Sequence, residues 1–234
     1  MNSPIAIVGG AGRVGGLVAR RLTEEAARVR VVSRNPRQGP LPPAPGTEVF
    51  EADVREAESL RAALRGCIGV VYSVEPGTAD SGPESPESTM YEGVRNVIAA
   101  ATAEGEHPYF VLVSQIFVTR RQHPMNAYGR LLDWRLRGED AVRESGLPYA
   151  VIRPSWLTDE HFAGERIRLE QGDGGQGWVC RADVAEACVH ALRNPAAANR
   201  TFELYNEPGA VSADWTREFA RLAPDRLLTG RGAY

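Results

Sequence analysis

One stretch of this chain is suited to chemistry through its backbone alone. Ile5-Ala6-Ile7-Val8 runs directly into Gly9-Gly10-Ala11-Gly12-Arg13-Val14-Gly15-Gly16. The series reads as Gly10-x-Gly12-x-x-Gly15 or as Gly9-x-x-Gly12-x-x-Gly15. An apolar strand precedes it, and a helical pattern with Val14, Leu17, Val18 and Leu22 on one face follows. A glycine-rich turn between a strand and a helix has a defined use. One glycine permits the tight turn, one lets backbone approach a pyrophosphate, and one lets the helix pack on the strand. The free N–H groups at the helix start then meet the negative phosphates.

The residues after the second strand bear on which dinucleotide fits. An acid there would hold a ribose 2′-hydroxyl. This chain has Ser33-Arg34-Asn35 instead. A hydroxyl beside a guanidinium suits a 2′-phosphate, because arginine makes a forked, charge-assisted contact. Arg13, inside the glycine turn, and Arg37 are further positive groups. The expected cofactor is therefore NADP(H). Asp53-Val54, after the third strand, is placed either for an adenine contact or, through Asp53, to cap the next helix.

Composition sets limits. All 27 basic residues are arginine, so no lysine can serve as a cation or Schiff base. Cys67, Cys180 and Cys188 are scattered, without CxxC spacing, and indicate neither a disulfide framework nor a metal site; Cys188 is expected in the core. Net charge is −3, which gives no footprint for nucleic acid or an anionic membrane. There is no signal-peptide pattern and no apolar run of about 20 residues, so a cytoplasmic protein is expected.

The elements that must position these groups follow from the apolar pattern. Strands are expected at 5–8, 29–32, 48–50, 68–72, 109–113 and 149–152. Helices are expected at 14–26, 57–64, 90–103 and 126–145. Such alternation predicts an α/β fold, a doubly wound parallel sheet covered by helices on both faces. Residues 75–88, rich in Gly, Pro and Ser, follow the fourth strand and form either a mobile flap or a solvated loop. After Pro154 the pattern is irregular, with a helix at 181–192, a strand at 201–205 and a helix at 212–222. Residues 1–234 are expected to form one domain, with about 155–180 and 205–234 making a small C-terminal substrate-covering lobe.

Taken together, the glycine turn, Ser33-Arg34, Asp53-Val54, Gly93-Val94-Arg95-Asn96-Val97, Val113-Ser114, Ile152-Arg153-Pro154 and Arg181-Ala182-Asp183-Val184-Ala185 resemble the atypical short-chain dehydrogenases/reductases, in particular their NmrA-like, NAD(P)H-binding branch. The resemblance covers nearly the whole chain, more loosely after about Trp156. It implies a Rossmann fold. It also implies that Tyr72 and Ser73 lie beneath the ribose, and that Pro154 and Trp156 lie near the nicotinamide. The branch includes ketone and quinone reductases, isomerases and regulators that only bind the cofactor.

Many relatives use a tyrosine acid, a lysine four residues later and a serine that orients the carbonyl. Ser114 matches the serine. The lysine position falls near Arg135, which places the tyrosine at Leu131. Tyr128, one turn earlier, would have Leu132 at the lysine position. The pair is thus absent in either register. Tyr128 supported by Arg130 or Arg135, protonation by water or substrate, and no hydride transfer all remain open. Gln115, Trp156 and His161 are candidate substrate contacts, and Phe162 shares the lid region with His161. The expected function is NADP(H)-dependent reduction of a small apolar carbonyl, quinone or conjugated substrate, with a biosynthetic tailoring role by analogy. The alternatives are a non-reducing isomerase or cyclase and a cofactor sensor without turnover. The expected assembly is a monomer, or a homodimer through the 126–145 helix.

Overall fold

Ile5 and Ile7 pack into one buried apolar cluster, Ala6 and Val8 into another, and all four are buried. A strand buried on both faces needs helices on both sides, and the computed structural model has that layout. It describes residues 3–161, 164–209 and 214–226. The chain runs β1 (Ile5–Val8), α1 (Arg13–Glu24), β2 (Val29–Ser33), β3 (Glu48–Glu51), α2 (Ala57–Leu64) and β4 (Gly69–Tyr72). A π-helical turn at Glu87–Glu92 leads into α3 (Gly93–Ala101), then β5 (Tyr109–Val113), a 3₁₀ turn at Pro124–Ala127 and α4 (Leu131–Glu144). Next come β6 (Tyr149–Pro154), β7 (Trp156–Thr158), β8 (Glu165–Glu170), β9 (Trp178–Cys180), α5 (Arg181–Arg193), β10 (Arg200–Pro208) and α6 (Trp215–Ala220).

The sheet order is β3-β2-β1-β4-β5-β6-β10-β9-β7, with β8 also paired to β10. Pairing from β3 through β6 to β10 is parallel throughout. The order reverses between β1 and β4, where Val8 pairs with Tyr72. In an open α/β sheet the crevice beyond such a reversal is where ligands bind. Helices α1 and α5 cover one face, and α2, α3 and α4 cover the other.

Three expectations need correction. The region 155–180 is not irregular: it supplies β7, β8 and β9, which extend the main sheet beyond β10; β8 and β9 pair antiparallel with β10, and β7 pairs parallel with β9. The helix expected at 90–103 begins as a π-helical turn and becomes α-helical only at Gly93. The helix expected at 126–145 is broken. Gly129 and Arg130 take φ of +52° and +56°, and α4 starts at Leu131. The break is stabilised by Asn126, whose Oδ1 accepts the N–H groups of Leu132 (3.1 Å) and Asp133 (3.3 Å). These are first-turn donors that lack helical partners. The start of the helix expected at 212–222, like Phe162, lies outside the described residues.

A buried ionic network fixes α4 against the sheet. Arg153 donates to Glu139 (3.0 and 2.7 Å) and to Glu203 (3.0 Å), and Arg143 donates to Glu139 (2.8 Å). Burial opposes ionisation of Glu139, but Arg153 and Arg143 outweigh it and hold the carboxyl below its usual range. Glu203 goes the other way, because there burial outweighs its single arginine. Cys188 is fully buried in α5, and burial pushes its thiol up to about 12.

Candidate cofactor and substrate site

The glycine turn closes on itself between β1 and α1. Gly12 N donates to Gly9 O (2.9 Å), Gly9 N to Val32 O (2.8 Å), and Ser73 N to Val8 O (2.8 Å). Gly9 has φ +86°, and a Cβ there would lie 2.2 Å from Ser73 O. A Cβ on Gly15 would lie 2.4 Å from Gly9 O. Both positions require glycine, one for the turn and one for helix packing. Gly12 caps α1 with no side chain, so no side-chain acceptor satisfies the first-turn N–H groups. The geometry therefore fits a pyrophosphate: backbone donors are left free in a cradle that side chains would fill.

From this turn a groove runs in two directions. Toward β2 and β3 it is lined by Gly9, Gly12, Val32, Ser33, Arg34, Asp53, Val54, Ser73 and Thr89. Toward β5 and β6 it opens into a cleft of about 390 Å³. Gly12, Arg13, Val14, Ser73, Val74 and Glu75 line its near side, and Ser114, Gln115, Arg135, Pro154, Trp156 and Arg181 its far side. Gly12, Ser73, Val74 and Glu75 belong to both parts, so the groove is continuous.

At the β2 end, Arg34 is exposed and its Nη1 lies 3.8 Å from Glu84. Glu84 also pairs with Arg55, which donates to both carboxylate oxygens of Asp53 (3.0 and 2.6 Å for the nearest contacts). Burial raises Asp53, but Arg55 outweighs that and leaves the carboxyl below its ordinary range. Asp53 is not the cap of α2, which begins after Glu56; it accepts the Arg55 N–H (3.0 Å) in a tight local turn. The 75–88 loop is tied down through Glu84, through Ala79 N to Glu84 O (2.9 Å) and through Gly77 N to Thr89 Oγ1 (3.2 Å).

In the cleft, Ser114 Oγ is buried and makes no hydrogen bond of ordinary geometry, but it lies close enough to Glu139 to help hold that carboxyl below its usual range. Arg135 reaches in from the second turn of α4. Its Nε has no partner, and its Nη1 reaches only Val113 O at 3.5 Å. Burial lowers this guanidinium from its usual range, while Glu75 and Glu139 oppose the shift. Met125, Leu131, Ile116, Leu157 and Trp156 make the rest of the lining largely apolar.

Several expected residues lie elsewhere. Tyr128 is 72% exposed and is not part of the cleft lining. It precedes the break before α4, and the neighbouring Arg130 is engaged by Asp133 (2.9 Å). Tyr72 is buried, and its hydroxyl donates to Thr89 O (2.5 Å) rather than facing the groove. Gly10 and Gly15 shape the turn without lining it. His161 is exposed at 3.2 Å from Asp183, beside the cleft but outside its lining. Its ring, the Cys180 thiol and the Asp183 carboxylate lie within 4.8 Å of one another, and Asn206 also donates to Asp183 (2.7 Å). Asp183 sits in the first turn of α5, whose cap position is Cys180. Glu75, Met125, Leu131 and Arg181 were not anticipated from sequence. Three of them carry a signal: Glu75 stands just beyond the carboxyl end of β4, Leu131 falls at the tyrosine position that the resemblance implies, and Arg181 opens the Arg181–Ala185 stretch that carries the resemblance.

Among the described residues, no helix is long and apolar enough to cross a membrane. The chain is 28% identical over 217 residues to sanguinarine reductase of Eschscholzia californica, covering 76% of this chain and 78% of that protein. It is 27% identical over 221 residues to quinone oxidoreductase 2 of Escherichia coli (strain K12), covering 91% of this chain and 70% of that one. A solved structure described as a putative NAD-dependent epimerase/dehydratase from Bacillus halodurans superposes with a TM-score of 0.73 at 21% identity, over 88% of this chain and 95% of that one. The family described as NAD(P)H-binding matches residues 9–195, from the glycine turn to the end of α5, and the chain belongs to that family.

Proposed function

We propose that the chain is an NADP(H)-dependent oxidoreductase that reduces a small, largely apolar carbonyl, quinone or conjugated substrate. One observation carries this reading: a single groove joins Arg34 to an apolar cleft holding Ser114 and Arg135, passing over the glycine turn. The relatives named as reductases support it. The turn at Gly9–Gly12 and the first turn of α1 would hold the pyrophosphate, and Ser33 with Arg34 would hold a 2′-phosphate. A reduced nicotinamide bound in the groove supplies a hydride. The chain's own residues do the rest. Ser114 and Arg135 face the substrate oxygen, and Met125, Leu131, Ile116 and Trp156 exclude water.

A cofactor sensor without turnover is the second reading. Two facts favour it: the chain has no lysine, and Tyr128 stands outside the cleft lining. The deciding experiment measures NADPH and NADH binding by fluorescence, then NADPH oxidation against a panel of quinones, enones and ketones. Oxidation that is stoichiometric with an acceptor supports the reductase. Tight NADPH binding with no oxidation by any acceptor overturns it in favour of the sensor.

A further inference from the structure

A buried guanidinium with its Nε unpartnered, beside a hydroxyl without a well-formed hydrogen bond, is costly in an apolar cleft unless something charged arrives to meet it. Arg135 Nε is buried without a partner, and Ser114 Oγ is buried without a hydrogen bond of ordinary geometry, its hydroxyl turned toward the Glu139 carboxyl that it helps to hold ionised. They come from different elements, the second turn of α4 and the end of β5, yet they line the same cleft. The carboxylate that shares this lining, Glu75, is exposed and makes no ion pair with Arg135 among the described residues. We propose that Arg135 and Ser114 form a preorganised oxyanion site, which makes the cleft selective for acceptors whose reduced oxygen is a delocalised anion, an enone or a quinone, over isolated ketones. The inference rests on the reductase reading and narrows its substrate class.

The argument turns on what arginine can and cannot do. It supplies a permanent charge and forked donors, but it does not relay protons. Reducing an isolated ketone leaves an alkoxide about as basic as hydroxide. That product needs a proton donor in step with the hydride. Reducing an enone or quinone leaves an enolate or phenolate, and a phenol has a pKa of about 10. Such an anion can persist beside a guanidinium until water protonates it. In the enone case the acceptor gains a hydride at its β-carbon and the C=C π bond breaks. Its electron pair becomes the new double bond between the α-carbon and the carbonyl carbon, the C=O π pair moves onto oxygen as the enolate, the reduced nicotinamide is left oxidised, and water delivers the proton to the α-carbon. Aligned donors at a developing oxyanion are worth about 10²–10³ in rate each.

The test has a binding arm and a turnover arm. 4-Nitrophenol, whose phenol and phenolate differ in colour, is titrated against the protein saturated with NADP⁺. The expected result is binding as the phenolate, tighter than the phenol by about tenfold or more. Arg135→Met should abolish that preference, Arg135→Lys should retain part of it, and Glu75→Gln should strengthen it. NADPH binding and thermal melting check that each variant is folded. In turnover, cyclohexenone or a benzoquinone should be reduced and cyclohexanone should not. Arg135→Met should lower kcat by about 10²-fold with the cofactor Kd unchanged. Unshifted nitrophenol binding in an enzyme that oxidises NADPH overturns the oxyanion site and leaves the reductase reading intact. Equal rates for cyclohexenone and cyclohexanone overturn it too, as does a Glu75→Gln variant that loses turnover while Arg135→Met keeps it. Arg135-dependent phenolate binding without NADPH oxidation by any acceptor supports the oxyanion site and defeats the reductase reading.

Discussion

Arg34 and Glu84 face each other across the adenosine end of the groove, Nη1 to Oε2 at 3.8 Å, so the residue best placed for a 2′-phosphate already has an acidic neighbour. Both side chains are exposed, and a pair of that kind holds with about 0–1 kcal/mol. A 2′-phosphate would displace it. Glu84→Gln should therefore tighten NADPH by about two- to fivefold and leave NADH unchanged. Arg34→Ala removes a charge-assisted contact and should weaken NADPH roughly ten- to hundredfold, with little effect on NADH. Fluorescence titration of both cofactors against both variants checks this. Equal losses for NADPH and NADH in Arg34→Ala would end the 2′-phosphate assignment.

Gly9 offers a sharper test of the turn. Its φ of +86° costs an L-residue about 1–2 kcal/mol, and its missing Cβ would sit 2.2 Å from Ser73 O. Gly9→Ala should lower Tm and weaken both cofactors alike, because it pushes β1 away from the end of β4. Gly46, with φ +87° and nothing within 4 Å of a Cβ, is the control. Gly46→Ala carries the backbone strain without the clash. Cofactor binding that is equally weak in both variants would show that the clash with Ser73 is irrelevant.

Tyr128→Phe should leave turnover within about twofold. A side chain that is 72% exposed and outside the cleft lining does not meet the substrate oxygen. A general acid would lose about 10²-fold or more on the same change. A loss of that size would show that the break before α4 swings Tyr128 inward during turnover.

The contrast between Tyr128 and Ser114 marks where the sequence stops being legible. Ser114 is legible because the resemblance implies a carbonyl-orienting serine there, and because the residue after the unbroken apolar run of β5, Tyr109–Val113, falls at the ligand edge. Helix α2 was legible for a similar reason, with buried Leu60, Ala63 and Leu64 on one face. Tyr128 was misplaced because the residues from 126 to 145 keep helical spacing through a break. That break depends on Asn126 reaching the N–H groups of Leu132 and Asp133. Strand β8 is disguised by its charge-rich composition, with Arg166 and Arg168 alternating with half-buried Ile167 and Leu169 against β10, and β7 and β9 are three residues each, too short to show a period. Arg181 and Met125 reach the cleft from segments far apart in sequence, and no local period reports that convergence.

The network under the cleft predicts a pH dependence with two opposing signs. Glu139 has its folded pKa lowered below the ordinary 4.5, so it contributes stability that is present above about that pH and lost as pH falls through the folded value. Glu203 has its folded pKa raised, so its ionised form is a cost that grows as pH rises above 4.5 and saturates past the folded value. At neutral pH, Glu139→Gln strands two arginines, Arg143 and Arg153, and should destabilise by about 3–5 kcal/mol. Glu203→Gln leaves Arg153 still doubly bonded to Glu139 and should cost clearly less. Denaturant melts from acid to neutral pH check both. The wild type should lose stability below about pH 4.5, Glu139→Gln should be flatter in that range, and Glu203→Gln should gain relative to wild type as pH rises through the interval above 4.5. Equal costs for the two variants at neutral pH would mean that Arg153 draws on both carboxylates alike, against the unequal burial and pairing that set their opposite shifts.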